Sequence, residues 1–421
     1  MTRLLLLLLL ASTFKLLAQT HTIEIHENKR VASLLMSSSE YENWKTNDEF
    51  NNKAIREALF QDIYQKFDDN FDFIFLVLNE DDRPTNLPFG QLIQVSNEAL
   101  GLGMGAFDNS SNYGSAGKLQ AVMHLTRRDY LRAGPSLHEL MHNWGNFGIP
   151  TESTSAPGKD LKSFPYIPHW GFTGGSTKGQ LGGFEQSTLV ENGGNSYTVG
   201  TFGPNANGGN SVPYNELELY LMGMTDISSV SNFDVFSDIT ELTINASTFD
   251  FTASTRTTYT PASLEALLGT RSPSFATSQK DFTALVIVLT DTPLTKEQWD
   301  LVDDSSEKFG RPSSDFSSVY NFWEATNGLG TLETGNLEGK ITSVEDELLS
   351  DNIRVYPNPV SDYIQILGIK NIERYTIYNV FGEEILNGQV SENQKIDINN
   401  LASGYYLLKT ETGKIFKVIK K

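Results

Sequence analysis

Cysteine is absent from all 421 residues, so neither a disulfide framework nor a thiolate metal site can be built from this chain. Histidine is scarce, with six copies, which makes any close pair of them informative. Basic residues are in deficit: 32 lysines and arginines stand against 52 aspartates and glutamates, a formal charge of −20. That excess argues against nucleic acid and anionic lipid as partners, because both need basic surface. The leucine block Leu4–Leu10 falls far short of the ~20 apolar residues a membrane-spanning helix needs, and no later stretch is apolar enough. At 39% hydrophobic and 20% charged residues, the composition is that of a folded soluble protein.

What is present begins with an export signal. Arg3, the leucine block and Ala18–Gln19 have the order of a secretory signal peptide cleaved after residue 18. Lys15 and Leu16 are imperfect in that role, and an uncleaved anchor is the competing reading. A signal on a cysteine-free chain suits a bacterial envelope. Residues 19 to about 48 read either as a short propeptide or as the first strands of the fold.

Periodicity predicts a helix over Asn47–Phe67, with Ile55, Leu59, Ile63 and Phe67 on one face. Buried strands are predicted at Phe71–Asn79, Lys118–Leu125 and Phe282–Thr290, and a helix opening at Thr295. Gly171–Gly209 is rich in glycine and small polar residues without a long periodic segment. It is expected to form irregular loops, some lining a substrate cleft. From residue 353 the runs are short and alternating, as in a small all-β domain. The predicted organisation is a signal peptide at 1–18, an α+β domain at 19–335, a linker at 336–352 and a β-sandwich at 353–421.

The stretch PSLHELMHNWGNFG, Pro135–Gly148, carries the chemistry. His138 and His142 sit one helical turn apart and can reach one ion, and Glu139 projects beside them. Neutral imidazoles suit zinc, and a carboxylate next to such a site can move a proton. Ser136-x-x-Glu139 also fits a helix capping box, which would make Glu139 structural. Among the other histidines, His21, His26 and His124 precede the helix and His169, in YIPHWGFTGG, follows it. Tyr166, Tyr214 and Tyr220 are candidates for stabilising an oxyanion.

HELMHNWG resembles the zincin metalloprotease signature, with Gly145 where metzincins bend the chain after the helix. Metzincins place a third ligand three residues further on, and Gly148 stands there instead. The order of signature helix, HWGF, glycine-rich loop and ELYLMG resembles a group of secreted bacterial zincin-like proteins. That resemblance implies one catalytic zinc ion on His138, His142 and His169, with Met222 as a methionine floor. A gluzincin-like ligand set would use Glu218 instead, with Glu216 and Glu185 as further choices. The implied fold is an α+β zincin-like catalytic domain. The implied activity is that of a secreted zinc-dependent endopeptidase, with zinc-activated water and Glu139 as general base, acting on a protein or peptide substrate. A non-catalytic surface binding or adhesion protein on the same scaffold is the alternative. Calcium finds no EF-hand spacing to support it.

VYPNPVSDYIQI, IYNVFGEEI, LASGYYLLK and the basic end KVIKK resemble the type A C-terminal sorting domain of type IX secretion in Bacteroidetes. The resemblance implies an exported cargo, at the outer cell surface or released, recognised by the type IX machinery through residues 353–421.

Overall fold

Six consecutive apolar residues, Phe73–Leu78, form a strand whose side chains are all buried. A strand without a polar face has to lie inside a sheet covered on both sides, and the computed structural model places it there. The structure describes residues 21–146, 149, 151–154, 161–164, 169–337, 354–367, 372–391, 394–411 and 415–421. The predicted signal peptide, Gly148, Tyr166 and most of the predicted linker lie outside them. The chain divides into two compact units, residues 1–340 and 341–421.

The central sheet of the first unit runs Thr22–Ile25, Val31–Leu35, Asp281–Thr290, Phe73–Leu78, Ala121–Leu125, Gly90–Gln94. Its four inner strands are parallel and its two outer strands antiparallel. The unit is therefore a mixed α/β body, since the inner sheet is parallel rather than a segregated antiparallel layer. Residues 22–35 supply two of its strands, so the start of the described chain belongs to the core and not to a separate propeptide. At the other end, Leu337 is fully buried and its N–H donates to Lys29 O at 2.8 Å. The body thus extends slightly into the predicted linker.

The helix predicted over Asn47–Phe67 forms over Lys53–Lys66, and a separate helix, Ser38–Thr46, precedes it across a turn in which Asp48 adopts a φ of 52°. The second helix buries Arg56, Leu59, Phe60 and Ile63, while Ile55 is 37% exposed. The buried stripe is shifted because Arg56 lies inward, donating from Nε to Tyr113 Oη at 2.9 Å. The Thr295 expectation matches: Lys296–Gly310 is a helix with Thr295 and Gln298 forming its capping box.

The glycine-rich region departs most from expectation. Gly171–Gly175, Gly182–Glu185, Val190–Gly193 and Ser196–Gly200 are strands of a six-stranded sheet, completed by the hairpin Phe233–Ile244 and Thr248–Tyr259. The aromatics set between the glycines, Phe172, Phe184 and Tyr197, are buried with Phe236 and Phe251. Large rings at a few positions supply enough apolar area to fold a stretch that carries no long hydrophobic pattern.

The second unit is all-β. Strands Arg354–Tyr356, Tyr363–Leu367 and Lys395–Asp397 form one sheet, and Glu384–Val390, Glu373–Tyr378, Gly404–Thr410 and Ile415–Lys420 form another. Ile364, Ile366 and Ile396 from the first share a core with Ile377, Leu408 and Val418 from the second. Among the described residues, no helix is long and apolar enough to cross a membrane.

Candidate metal centre

The signature segment folds as the helix Ser136–Gly145, and all ten of its residues are buried. Leu137, Leu140, Met141 and Trp144 face the core. Each end is tied to another part of the chain. At the start, Leu137 N donates to Asn210 Oδ1 at 3.1 Å, while Asn210 Nδ2 donates to Ser136 Oγ at 2.9 Å and Arg132 O at 3.0 Å. Tyr214 Oη donates to Leu137 O at 2.9 Å. Ser136 is thus the first helical residue, with its hydroxyl donating to Leu131 O, and not the capping residue. The capping-box role for Glu139 falls with it. Asn210→Ala removes the acceptor for a buried helix N–H and is expected to cost about 3 kcal/mol. A lower denaturation midpoint with an unchanged slope checks this.

At the helix end, Trp170 Nε1 donates to Gly145 O at 3.1 Å, and Trp170 N donates to Leu181 O at 2.8 Å. His169, one residue earlier, is thereby carried to the two helix histidines. The ring centroids of His138, His142 and His169 lie 4.7, 5.1 and 5.2 Å apart, and their ligand atoms are all within 4.8 Å of one another. Gly145 is the last residue of the helix, and its small size matters here. A Cβ on Gly145 would sit 2.4 Å from Leu181 Cδ1 and 3.5 Å from Trp170 Cζ2. Gly145→Ala is therefore expected to push out the segment holding His169 and to weaken zinc binding roughly ten- to a hundredfold. Competition with a chromophoric chelator measures it.

The protonation state of two histidines follows from their partners. His138 Nδ1 lies 2.7 Å from Gln180 O, and a carbonyl only accepts, so Nδ1 carries the proton. His142 Nδ1 lies 2.7 Å from Asn146 Oδ1 and carries its proton for the same reason. Both Nε2 atoms then present lone pairs, and they face each other at 3.1 Å. Burial pushes His138 down to about 4 and His169 to about 3. It also holds His142 well below its usual value, with the two neighbouring imidazoles adding to the effect. A proton therefore does not relieve the repulsion, and a cation does. A tetrahedral zinc site with Zn–N near 2.0–2.1 Å separates its nitrogens by about 3.4 Å, close to the 3.1 Å between His138 and His142. The donor set fits zinc.

Glu139 is 6% exposed and has no hydrogen bond or ion pair from its side chain among the described residues. Burial pushes its carboxyl up to about 8. A cation at the imidazoles opposes that shift and favours the carboxylate. Gly90, the first residue of the edge strand, makes room for it: a Cβ there would lie 2.6 Å from Glu139 Cγ and 2.9 Å from Oε1.

The structure brings His138, His142 and His169 together, keeps Glu139 buried on the same helix, and leaves the rival carboxylates elsewhere. Glu218 closes a capping box with Asn215 on the helix Glu216–Met222, and its Oε1 accepts from Leu181 N at 2.9 Å. Glu216 accepts from Ser176 N, and Glu185 is half-buried on a strand. Met222 is a core methionine at the end of its helix. Tyr214 is spent on Leu137 O, and Tyr220 is buried beside other core residues. His21 contacts Glu40 and Asp62, His26 stacks on Trp299, and His124 accepts from Trp44 Nε1. Gln180 and Gly90 were not singled out from the sequence. Gln180 acts through its backbone carbonyl and Gly90 through an absent side chain, so neither leaves a residue-type signal.

Residues 354–421, the all-β unit described above, match the family described as secretion system C-terminal sorting domain. The chain is cargo of type IX secretion. The sorting domain directs it to the cell surface or the extracellular space and engages the type IX machinery on the way. Among curated proteins and among solved structures, no chain matches this one.

Proposed function

We propose that the first unit is a secreted zinc-dependent endopeptidase of zincin type, with His138, His142 and His169 holding one zinc ion and Glu139 as general base. The observation that carries this reading is the pair of Nε2 lone pairs facing each other at 3.1 Å beside a third imidazole, with Glu139 on the same helix buried and without a partner among the described residues. When bound, zinc supplies Lewis-acid activation of water and of the scissile carbonyl.

The chain's own residues do the rest. Gln180 O and Asn146 Oδ1 hold the imidazoles in the tautomer that turns Nε2 toward the ion. Three nitrogen donors leave one position of a tetrahedral set for a non-protein ligand, the arrangement of catalytic rather than structural zinc. Glu139 accepts the proton of the attacking water at its carboxylate and returns it to the leaving amine. Against a binding-only role stands the cost of Glu139: a buried carboxyl without a partner lowers stability and offers a binding protein nothing in return.

The test is peptide-library cleavage by the full chain, with zinc content measured on the same sample. One equivalent of zinc and cleavage that a chelator abolishes and added zinc restores are expected. Full zinc loading with no cleavage of any peptide would overturn the peptidase and favour a surface binding protein.

A further inference from the structure

A pocket of about 600 Å3 opens against the last turn of the signature helix, at the ends of the strands Ala121–Leu125 and Asp281–Thr290. Its size is that of a small-molecule site. Asn143 and Trp144 line it, roughly 100° and 200° around the helix from His142, and neither Glu139 nor any of the three histidines does. It is a second site on the same body.

Its charges are arranged in two zones. Inside, Asp72 is buried and fully engaged, accepting from Lys118 Nζ at 2.7 Å, Gln279 Nε2 at 2.8 Å and Thr283 N at 2.8 Å. That pairing neutralises Lys118. Arg271 is only 8% exposed and has no carboxylate partner among the described residues. Its Nε and Nη1 donate to Leu221 O, Pro273 O and Ser278 Oγ, which leaves Nη2 without an acceptor among those residues. A buried guanidinium without a counter-charge is costly, and an anionic group from outside relieves it.

The other zone is the mouth, where Glu98 and Asp108 are exposed carboxylates without a cationic partner among the described residues. Primary amides line the same pocket. Asn143 is 4% exposed, and its Oδ1 is buried without a partner among the described residues. Its Nδ2 reaches Gln120 Oε1 only at 3.4 Å. A purely anionic ligand would meet the repulsion of the mouth, and a purely cationic one would leave Arg271 uncompensated.

We infer that this pocket binds a zwitterionic small molecule, a free amino acid or short peptide, with its carboxylate on Arg271 and its ammonium group at Glu98 and Asp108. The amides of Asn143 and Gln120 are suited to the N–H and C=O of a peptide bond, and Trp144 and Phe107 wall the pocket with aromatic surface. The inference uses none of the histidine-site residues and stands apart from the peptidase reading.

The test is calorimetric titration of the full chain with the dipeptide Ala-Phe, its C-terminal amide and its N-acetyl form, with and without a metal chelator. Ala-Phe is expected to bind roughly tenfold to a hundredfold more tightly than either capped form, since each cap removes one charge-assisted contact. The affinity is expected to be unchanged by the chelator. Arg271→Met should remove the preference for the free carboxylate. Because Arg271 also holds the Leu221 and Pro273 carbonyls, a second variant is needed that leaves the core alone. Glu98→Gln combined with Asp108→Asn changes only exposed groups and should remove the preference for the free ammonium. Three outcomes would each overturn the inference: no binding of Ala-Phe at millimolar concentration, equal affinity for all three probes, or binding lost on chelation.

Discussion

A Glu139→Gln chain is expected to keep one equivalent of zinc and to lose peptide hydrolysis by about three orders of magnitude. Glutamine has the shape of glutamate, so the notch above Gly90, where Glu139 Cγ and Oε1 leave no room for a Cβ, accepts it unchanged. The fold should not suffer. Burial already pushes the Glu139 carboxyl up to about 8, and a neutral amide avoids the cost of holding a charge there. What disappears is the proton acceptor. Single-turnover cleavage of a library-derived peptide by zinc-loaded wild type and variant separates the two. Equal rates would place the chemistry away from the signature helix and end the proposed mechanism.

The second large effect concerns the third ligand. His169→Ala is expected to weaken zinc binding by more than a hundredfold. Structural zinc sites yield about 10–16 kcal/mol over their ligands, so each contributes on the order of 3 kcal/mol. Glu218→Gln provides the contrast. Glu218 holds the N–H groups of Leu181 and Asn215 with its two carboxylate oxygens, and glutamine has only one accepting oxygen. That variant should be less stable yet still take up zinc. Metal content by atomic spectroscopy, read beside a denaturation curve, distinguishes the cases. If Glu218→Gln lost the metal and His169→Ala kept it, the ligand set would have to be redrawn around the carboxylate.

Gly145 ends the signature helix, where the likeness to metzincins placed a glycine, and a side chain there would meet Leu181 Cδ1 at 2.4 Å and Met141 Cε at 3.2 Å. Ile55 is a case where spacing misled. Four-residue spacing assigned it to the buried face, yet the helix turns Arg56 inward to meet Tyr113 and leaves Ile55 37% exposed. Spacing reports which residues share a face, not which face the rest of the protein covers.

Local pattern alone determined the buried strands at 73–78, 121–125 and 281–290, the helix capped by Thr295, the helical spacing of His138 and His142, and the sorting domain at the end of the chain. Each is written in short-range periodicity, capping chemistry or contiguous motif, which the chain carries whatever its neighbours do. Tertiary structure decided what lies between distant segments. It set Asp281–Thr290 between strands that begin the chain, and it folded the glycine-rich stretch on a few buried rings. It spent Glu218 on a cap and bound Trp170 to Gly145, so that His169 and not a carboxylate stands beside the helix histidines. A histidine from a distant segment arrives through hydrogen bonds and packing that no spacing encodes, and only the folded chain brings it within reach.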